Sequence, residues 1–397
     1  MLTYEEALAR VLDAMPSPKA EKVPVAEAAG RFLAEAVTSP LDLPPFDNSA
    51  MDGYAVRAAD VATASVDKPV ALRLVGQVGA GQVFQGSVGV QTCVRLFTGT
   101  PLPAGADAVV MQEDTRADGD TVLVLDRARP WENVRLRGED VKAGAVIATT
   151  GTRLGAGHLN LLAAVGNASV RVTKRPRIAL VSTGSELRPP GKPLAPGQIY
   201  ESNRPMLGAL LAECGAEVRA FPLVPDTLTR TRNALARASA ECDAVVTTGG
   251  ASVGKLDFVK AAFAELGGSQ EFWKVAIKPG KPFIFGTLGG KFLFGLPGNP
   301  VSAFVTFLLL VRPALLRWQG ASEVALPAHP GVLAEPLVNR GDRRHFVRVR
   351  VDGEGRVHSA GTQASHMLHS LAAANGLVEV PPGTTFAAGA TVRVLRC

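Results

Sequence analysis

The sequence is poor in the residues that mark several classes of protein. Its four cysteines, scattered over 397 residues, show no metal-ligand spacing, so we expect reduced thiols and a cytoplasmic location. Aromatic residues make up only 6%, which is few for a surface that stacks nucleic-acid bases. The net charge is +6, but the basic residues are dispersed, and we predict no nucleic-acid partner.

Membrane-spanning and secretory signals are also lacking. The longest apolar run, 301–311, contains two hydroxyl residues and ends at Arg312, which makes it too short to cross a bilayer. The first residues have neither a basic start nor an apolar core. Thr3 and Glu6 instead predict a capping box that opens a helix through Met15. We therefore expect no membrane partner.

A glycine-rich turn is the most informative feature that is present. The apolar run 243–248 predicts a buried strand, and helical spacing resumes at Phe258. A strand, a glycine turn and a helix together direct backbone N–H groups at an anion. Two glycines after a strand also serve simply to turn the chain, so the turn alone leaves both interpretations open. The candidate substrate-binding residues here are Gly249, Gly250, Ser252 and Gly254.

Lysines gather in the following segment. The run 273–278 predicts a strand with Lys274 and Lys278 on one face, and Lys281 follows in the next turn. We interpret the three ammonium groups as anion-binding, and the alternative is a sheet edge protected by lysines. A further turn, 297–300, precedes a long apolar helix with Pro300 in its first turn.

Strands and helices alternate between residues 173 and 322, which predicts a doubly wound parallel sheet. Ligands of such sheets bind outside the carboxyl ends of the strands. Loops follow five predicted strands, so one edge should collect their polar residues. These residues are Glu186, Asp226, Asp257, Lys278 and Lys281.

Composition divides the rest of the chain into further units. Short alternating strands and glycine turns mark two β-rich regions, one before and one after the α/β domain. The predicted units are a helical and then extended segment 1–40, a β-rich domain 41–133, a segment 134–172 that includes a helix, an α/β domain 173–322 and a C-terminal β domain 323–397.

Several motifs, in order along essentially the whole chain, resemble those of the MoeA/gephyrin family, the molybdopterin molybdenumtransferases. They are Pro45–Ala55, Phe97–Pro101, Arg137–Asp140, Thr248–Gly254, Lys278–Pro282 and Gly295–Pro300. The resemblance implies that segments 1–40 and 134–172 together form one elongated linker domain and that the β-rich domain is inserted between them. It also implies a molybdopterin-binding α/β domain and a β-barrel-like C-terminal domain.

The resemblance further implies an enzyme that inserts molybdate into adenylylated molybdopterin, releases AMP and uses Mg²⁺. A tetrahedral dianion requires cationic and hydroxyl donors, and Mg²⁺ requires carboxylates. By matching position, the catalytic residues are Asp52, Thr98, Asp140, Glu186, Asp226 and Asp257, with Glu186 and Asp257 as metal ligands. The remaining substrate-binding residues are Lys274, Lys278, Lys281, Pro297, Pro300, Arg343 and Ser365.

The same resemblance implies a homodimer in which the inserted domain of one subunit faces the sheet of the other. The molybdopterin adenylyltransferase is a further candidate partner. Three alternatives remain open: an adenylyltransferase, a tungstate-inserting enzyme and a non-enzymatic scaffold.

Individual residues also have simpler interpretations. Asp52 before Gly53 is typical of a hairpin corner, and Asp226 is a candidate helix cap. His366 and His369, three residues apart on a predicted helix 365–374, have no third ligand and are expected to be solvated. Ser185, Lys255 and His345 depart from the family pattern, and we expect them to add positive charge at the sheet edge.

Overall fold

The computed structural model describes residues 1–250 and 258–397. Thr3 and Glu6 form the predicted capping box, and the helix that they open ends at Asp13. The α-helices are Tyr4–Asp13, Ala58–Val61, Ala156–Ala164, Asn203–Glu213, Leu228–Glu241, Phe258–Glu265, Pro300–Thr306, Arg312–Trp318 and Leu368–Ala372. Short 3₁₀ turns cover Val25–Glu27 and Gln112–Asp114, and a π-helical turn covers Phe307–Val311.

Two distant segments build one small layer near the N-terminus. Strand Ala20–Pro24 pairs antiparallel with Ser169–Thr173, and Val37–Thr38 pairs with Val146–Ala148. Both segments contribute to one apolar core, which removes their side chains from water. Its buried members are Val25, Ala28, Leu33, Ala148, Leu154, Leu162, Val170 and Val172. The chain therefore leaves this layer and returns to it more than 100 residues later.

Between these segments lies a six-stranded sheet. Its strands, in spatial order, are Ala108–Met111, Gly53–Val56, Thr92–Leu96, Val70–Val78, Thr121–Val124 and Thr115–Asp118. Gly53 begins a strand that pairs with Met111 and Leu96, so the predicted hairpin corner at Asp52 is wrong. A Cβ at Gly53 would lie 2.0 Å from the Val110 carbonyl oxygen of the paired strand. The two strands are therefore too close together at this position for any residue but glycine.

The α/β domain contains a second six-stranded sheet. Its spatial order is Glu217–Ala220, Arg177–Ser182, Ala244–Thr248, Lys291–Leu296, Pro282–Leu288 and Ser269–Lys274. The first four strands are parallel, and Pro282–Leu288 runs antiparallel to both neighbours. Helices cover both faces of the sheet, over two separate apolar cores. The predicted doubly wound α/β class is thus confirmed, with one antiparallel strand added.

The segment 273–278 is not the single strand that the sequence predicts. Ser269–Lys274 belongs to the α/β sheet, whereas Ile277–Lys278 pairs with Arg344 and His345 of the C-terminal domain. A tight turn at buried Val275, whose carbonyl oxygen accepts from Ile277 N at 2.9 Å, separates the two strands. The alternation of lysines therefore does not place Lys274 and Lys278 on one face.

The C-terminal domain is a closed five-stranded barrel. Strand Arg344–Val351 pairs with both Arg356–Ser359 and Gly376–Val380, and the remaining strands close the ring. Those strands are Ala328–Leu333 and Thr391–Arg396. Valines and leucines fill the interior, as expected of a small barrel. The predicted barrel-like domain is confirmed.

Three short strand pairs lie outside the larger sheets. The pairs are Asn48–Ser49 with Val134–Arg135, Leu187–Arg188 with Ile199–Tyr200, and Leu337–Val338 with Thr385–Phe386. The helical run Pro300–Trp318 has the length and hydropathy of a membrane span, but 78% of it is buried inside the protein. Its apolar sequence is therefore explained by packing against the α/β sheet and the N-terminal helix.

Candidate active site

The carboxyl edge of the α/β sheet holds a cavity of about 690 Å³. Five of the predicted site residues line it: Glu186, Asp226, Gly249, Gly250 and Pro300. The other described lining residues are Thr183, Gly184, Leu187, Ile199, Tyr200, Glu201, Ser202, Asn203, Thr248, Gly298, Asn299, His366 and Leu368. The sheet edge therefore gathers part of the predicted site in one concave surface, as parallel topology requires.

The turn after strand Ala244–Thr248 requires glycine at two positions. Gly249 and Gly250 have φ angles of +87° and +65°, a region that disfavours other residues. A Cβ at Gly249 would lie 2.3 Å from the Thr183 carbonyl oxygen, and one at Gly250 would lie 2.6 Å from Val259. These glycines bring the backbone of two neighbouring loops into contact at the cavity floor. Ser252, Gly254, Lys255 and Asp257 lie outside the described residues.

Asn203 holds two turns of the cavity together. Its buried amide nitrogen donates to Thr248 Oγ1 at 2.8 Å and to the Gly298 carbonyl oxygen at 2.7 Å. Thr248 Oγ1 donates in turn to the Pro297 carbonyl oxygen at 3.2 Å. In the sequence, the position of Asn203 indicates only that a helix begins nearby. Pro300 begins the next helix, as predicted. Pro297 takes part in this network through its carbonyl oxygen and is not among the described residues that line the cavity.

The carboxylates of the cavity differ in their surroundings. Glu186 is exposed, and no hydrogen bond to its carboxylate is found within 1–250 and 258–397. Asp226 is half-buried and exchanges two hydrogen bonds with Ser185, from Ser185 N to Oδ2 at 3.0 Å and from Asp226 N to Ser185 Oγ at 2.9 Å. Thr227, not Asp226, caps the following helix by accepting from Arg230 N.

A third carboxylate, Glu201, is almost fully buried at the cavity wall. It accepts from Ser182 Oγ at 3.2 Å and from Arg204 N at 2.8 Å, and it pairs with the Arg204 guanidinium. Its position after a two-residue strand and before a helix gives no strong signal in the sequence. Because its oxygens are already engaged, Glu201 fixes the wall rather than offering a free ligand.

The predicted basic residues lie beside the cavity and do not line it. Lys274 is half-buried with its ammonium 3.9 Å from the centroid of Trp273, and Lys281 is exposed. Lys278 is exposed and lies in register with His345 on the neighbouring strand. Arg343 Nη1 donates to the Ile277 carbonyl oxygen at 3.0 Å. We name Lys278, Arg343 and His345 the basic seam, because they follow the joint between the α/β domain and the barrel.

The expectation that His345 adds positive charge is wrong. His345 is buried, and neither ring nitrogen has a hydrogen-bond partner among the described residues. Burial, followed by the nearby charges of Lys278, Arg348 and Arg343, lowers its pKa to about 4. The imidazole is therefore neutral at pH 7. Sequence alone could not show this, because it depends on packing at the barrel mouth.

Ser365 connects a loop of the barrel domain with the cavity wall. Its Oγ accepts from Asn299 Nδ2 at 3.1 Å, and its carbonyl oxygen accepts from Val301 N at 3.2 Å. The predicted helix 365–374 is shorter than expected and covers Leu368–Ala372. His366 therefore lies in a loop before the helix, and no cluster of three metal-ligating side chains is present in the described parts of the chain.

The inserted domain presents a separate polar pair. Thr98 donates to Asp52 Oδ1 from both its backbone N and its Oγ1, each at 2.8 Å. These bonds, the backbone one first, lower the pKa of the Asp52 carboxyl. Asp140 is exposed, and its N donates to the Leu43 carbonyl oxygen at 3.0 Å. These three residues are not among the described lining residues of the cavity within one chain.

The chain folds as a multidomain α/β protein with a glycine-floored cavity at a sheet edge, and known proteins are similar to it in sequence and fold. Residues 2–166 match the model of the MoeA N-terminal region, residues 179–317 that of a probable molybdopterin binding domain, and residues 330–396 that of the MoeA C-terminal region. The six-stranded sheet of residues 53–124 lies within the first matched region, and the α/β sheet and the barrel lie almost entirely within the other two.

Whole proteins match over nearly their full length. The molybdopterin molybdenumtransferase of Haemophilus influenzae is 40% identical, covering 94% of this chain and 93% of that protein. Molybdopterin molybdenumtransferase 2 of Mycobacterium tuberculosis is 39% identical over 98% of both. The crystal structure of a molybdopterin biosynthesis MoeA protein from Pyrococcus horikoshii has a TM-score of 0.85 and 32% identity over 100% of both chains. The chain belongs to the molybdopterin molybdenumtransferase family.

Proposed function

We propose that this protein inserts molybdate into adenylylated molybdopterin, releasing AMP and forming molybdenum cofactor. The observation that carries the proposal is the combination of the glycine-floored cavity with the basic seam, where the barrel loop of Ser365 reaches the cavity wall at Asn299. The full-length similarity to molybdopterin molybdenumtransferases supports it. The cavity is large enough for a substrate with a flat heterocycle and a phosphoanhydride, since ligand sites commonly have volumes of 300–1,000 Å³.

The basic seam suits the oxyanion. Lys278 and Arg343 supply cationic donors, and the hydroxyl of Ser365 lies at the boundary with the cavity. Charge-assisted donors of this kind recognise a tetrahedral dianion. In the proposal, these residues hold molybdate while the cavity orients the phosphoanhydride. Such positioning lowers the activation free energy of the reaction, because the entropy of bringing the two reactants together is lost on binding. Lys274 and Lys281 flank the seam and raise the local positive potential.

Magnesium fits the other side of the site. Glu186 and Asp226 both line the cavity, and the Glu186 carboxylate has no hydrogen bond among the described residues. Mg²⁺ binds one or two carboxylates together with water and substrate phosphates, so the donor set is suitable. Glu186 would hold the ion with Asp257, and Asp226 would act nearby. The ion would offset the charge of the phosphoanhydride.

The proposal includes a homodimer with shared sites. Asp52, Thr98 and Asp140 are not among the described lining residues of the cavity in their own chain, and the same region of the chain exposes the apolar residues Phe46, Met51, Trp131 and Leu136. A two-fold interface would bring this surface onto the cavity of a second copy and produce two equivalent composite sites. Such a protein would act in the cytoplasm, with a molybdopterin adenylyltransferase as the supplier of its substrate.

The deciding experiment measures AMP release. Purified protein, adenylylated molybdopterin and Mg²⁺ are mixed with and without molybdate, and AMP is quantified by chromatography. We expect release that depends on molybdate and is absent with EDTA. AMP release that needs no oxyanion would contradict the insertion reaction. In a second mixture with molybdopterin and ATP, ATP consumption without an oxyanion requirement would identify an adenylyltransferase instead. A parallel titration of the first mixture with tungstate tests the choice of metal.

A further inference from the structure

The charge of the cavity wall is unusual for a site that receives a phosphoanhydride. Three of its lining residues are carboxylates: Glu186, Glu201 and Asp226. Across 1–250 and 258–397, no lysine or arginine lines the cavity. His366 is the one side chain among these described lining residues that can carry a positive charge or offer an imidazole N–H. Among the described lining residues, a phosphate oxygen in the cavity therefore has few side-chain donors of this strength.

The loop that carries His366 is anchored from below by Arg348, a fully buried residue of the barrel. The guanidinium donates from Nη2 to the carbonyl oxygens of Thr362 and Ala364, at 2.8 and 3.3 Å. It also donates to Ser370 Oγ from Nε and Nη2, at 3.2 and 2.9 Å. Gln363 adds two hydrogen bonds with the Arg348 backbone. Both sides of His366 are thus fixed to the barrel.

The same loop is attached to the cavity from the other side. Ser365, the residue before His366, binds both Asn299 and the backbone N of Val301. Asn299 itself lines the cavity. The exposed imidazole therefore projects from a loop whose backbone is tied to two domains, which is how a binding side chain is pre-organised.

We propose that His366 is a further substrate-contacting residue, whose imidazole N–H donates a hydrogen bond to a phosphoryl oxygen of the nucleotide. The inference rests on the proposed function and deepens it, because it assigns the phosphate group a side-chain donor from the barrel. Arg348 acts as a positioning residue for this contact. His369, three residues later, is also exposed and does not line the cavity, so it provides a matched control.

The test measures AMP binding by isothermal titration calorimetry, which requires no turnover. The wild-type protein is compared with His366→Ala, His366→Phe and the control His369→Ala. We expect both His366 variants to bind AMP about ten-fold more weakly or worse, because a hydrogen bond to a charged group is lost. We expect His369→Ala to bind as the wild type does.

Several outcomes would overturn the assignment. His366 variants that bind AMP as tightly as the wild type would remove the contact, and equal losses in His369→Ala would show a general effect on the loop. Full affinity in His366→Phe with a loss in His366→Ala would indicate packing instead of a hydrogen bond. A wild-type protein that neither binds nor releases AMP would contradict both the proposed function and the role of His366. If the wild type binds and releases AMP but the His366 variants bind it equally well, only the role of His366 is contradicted.

Discussion

The cavity and the basic seam lie side by side, yet they are built in opposite ways. The framework of the cavity consists of buried polar groups that bind one another, such as Glu201 with Arg204 and Asn203 with Thr248. In the seam, Lys278 is exposed, and His345 is buried with both ring nitrogens unpartnered among the described residues. A connected polar network fixes its shape, whereas the Lys278 ammonium of the seam is exposed to solvent and to ligands.

The difference separates two chemical tasks. Carboxylates collect in the cavity, where a cation and a phosphoanhydride would be handled together, and cationic groups collect in the seam. A single mixed surface would let its own lysines neutralise its carboxylates at close range. Because the barrel lies beside the sheet edge, the cationic groups of the seam stay apart from the carboxylates of the cavity. Ser365 of the barrel domain is hydrogen-bonded to Asn299 of the cavity wall. The following predictions test whether the two regions are functionally distinct.

The largest effect is expected from the composite site. Asp52→Ala and Glu186→Ala should each lower AMP release about 100-fold or more, because each removes a group at the reacting centre. If the sites are shared, an equal mixture with free subunit exchange should recover about one quarter of wild-type activity, since half of the dimers contain one intact site. AMP release from the mixture measures this.

Two controls accompany the mixing experiment. Subunit exchange is verified with differently tagged chains, and a mixture of Asp52→Ala with Thr98→Val should stay inactive because both changes lie in the same domain. A mixture of Asp52→Ala and Glu186→Ala that stays inactive after verified exchange would contradict the shared site. A monomer in sedimentation at working concentration would contradict it directly.

The next effect concerns the pH dependence of stability. The pKa of His345 is about 4 in the folded protein and 6.5 in an unfolded chain, so the unfolded state binds more protons between these values. Stability is therefore fully present above pH 6.5 and declines as the pH falls toward 4, by about 3 kcal/mol in all. Denaturant unfolding at pH 7 and pH 4.5 measures the change.

His345→Gln is the matched variant, since glutamine does not titrate. Its free energy of unfolding should depend less on pH between 4 and 6.5. The difference between the two proteins gives the contribution of His345 alone, because carboxyl groups that titrate in this pH range affect both proteins equally. Identical pH profiles for both proteins would show that the imidazole is not held neutral by its surroundings.

The sequence predicts the sheet edge well and the seam poorly, for physical reasons. Local alternation and glycine turns identify the strands, and parallel topology alone then places Glu186, Asp226 and Gly249 on one edge. The seam depends on Ile277–Lys278 joining a barrel strand nearly 70 residues away. The roles of Asn203 and Glu201 could not be predicted, because both residues lie at the start of a helix and look ordinary there. Their hydrogen bonds with Thr248, Gly298 and Arg204 are seen only in the folded structure.

A smaller effect should distinguish the two regions in binding. Lys278→Ala should raise the molybdate concentration needed for half-maximal AMP release about 10- to 100-fold, since one charge-assisted contact contributes about 1.5–3 kcal/mol. AMP affinity should be unchanged, because Lys278 does not line the described cavity. Lys291→Ala, at the opposite end of the sheet, is the control. An equal loss of AMP affinity in Lys278→Ala would show that the basic seam and the cavity act as one binding site.

The smallest effect concerns neighbours at the cavity rim, Asp226 and Thr227. Thr227 caps the helix, so Thr227→Ala should lower the free energy of unfolding by about 1 kcal/mol and leave AMP release unchanged. Asp226→Asn retains an oxygen that can accept from Ser185 N and removes only the charge. We expect near-wild-type stability and AMP release lowered about ten-fold. If Asp226→Asn instead lowered the melting temperature without lowering AMP release, the carboxylate would serve the loop and not the reaction.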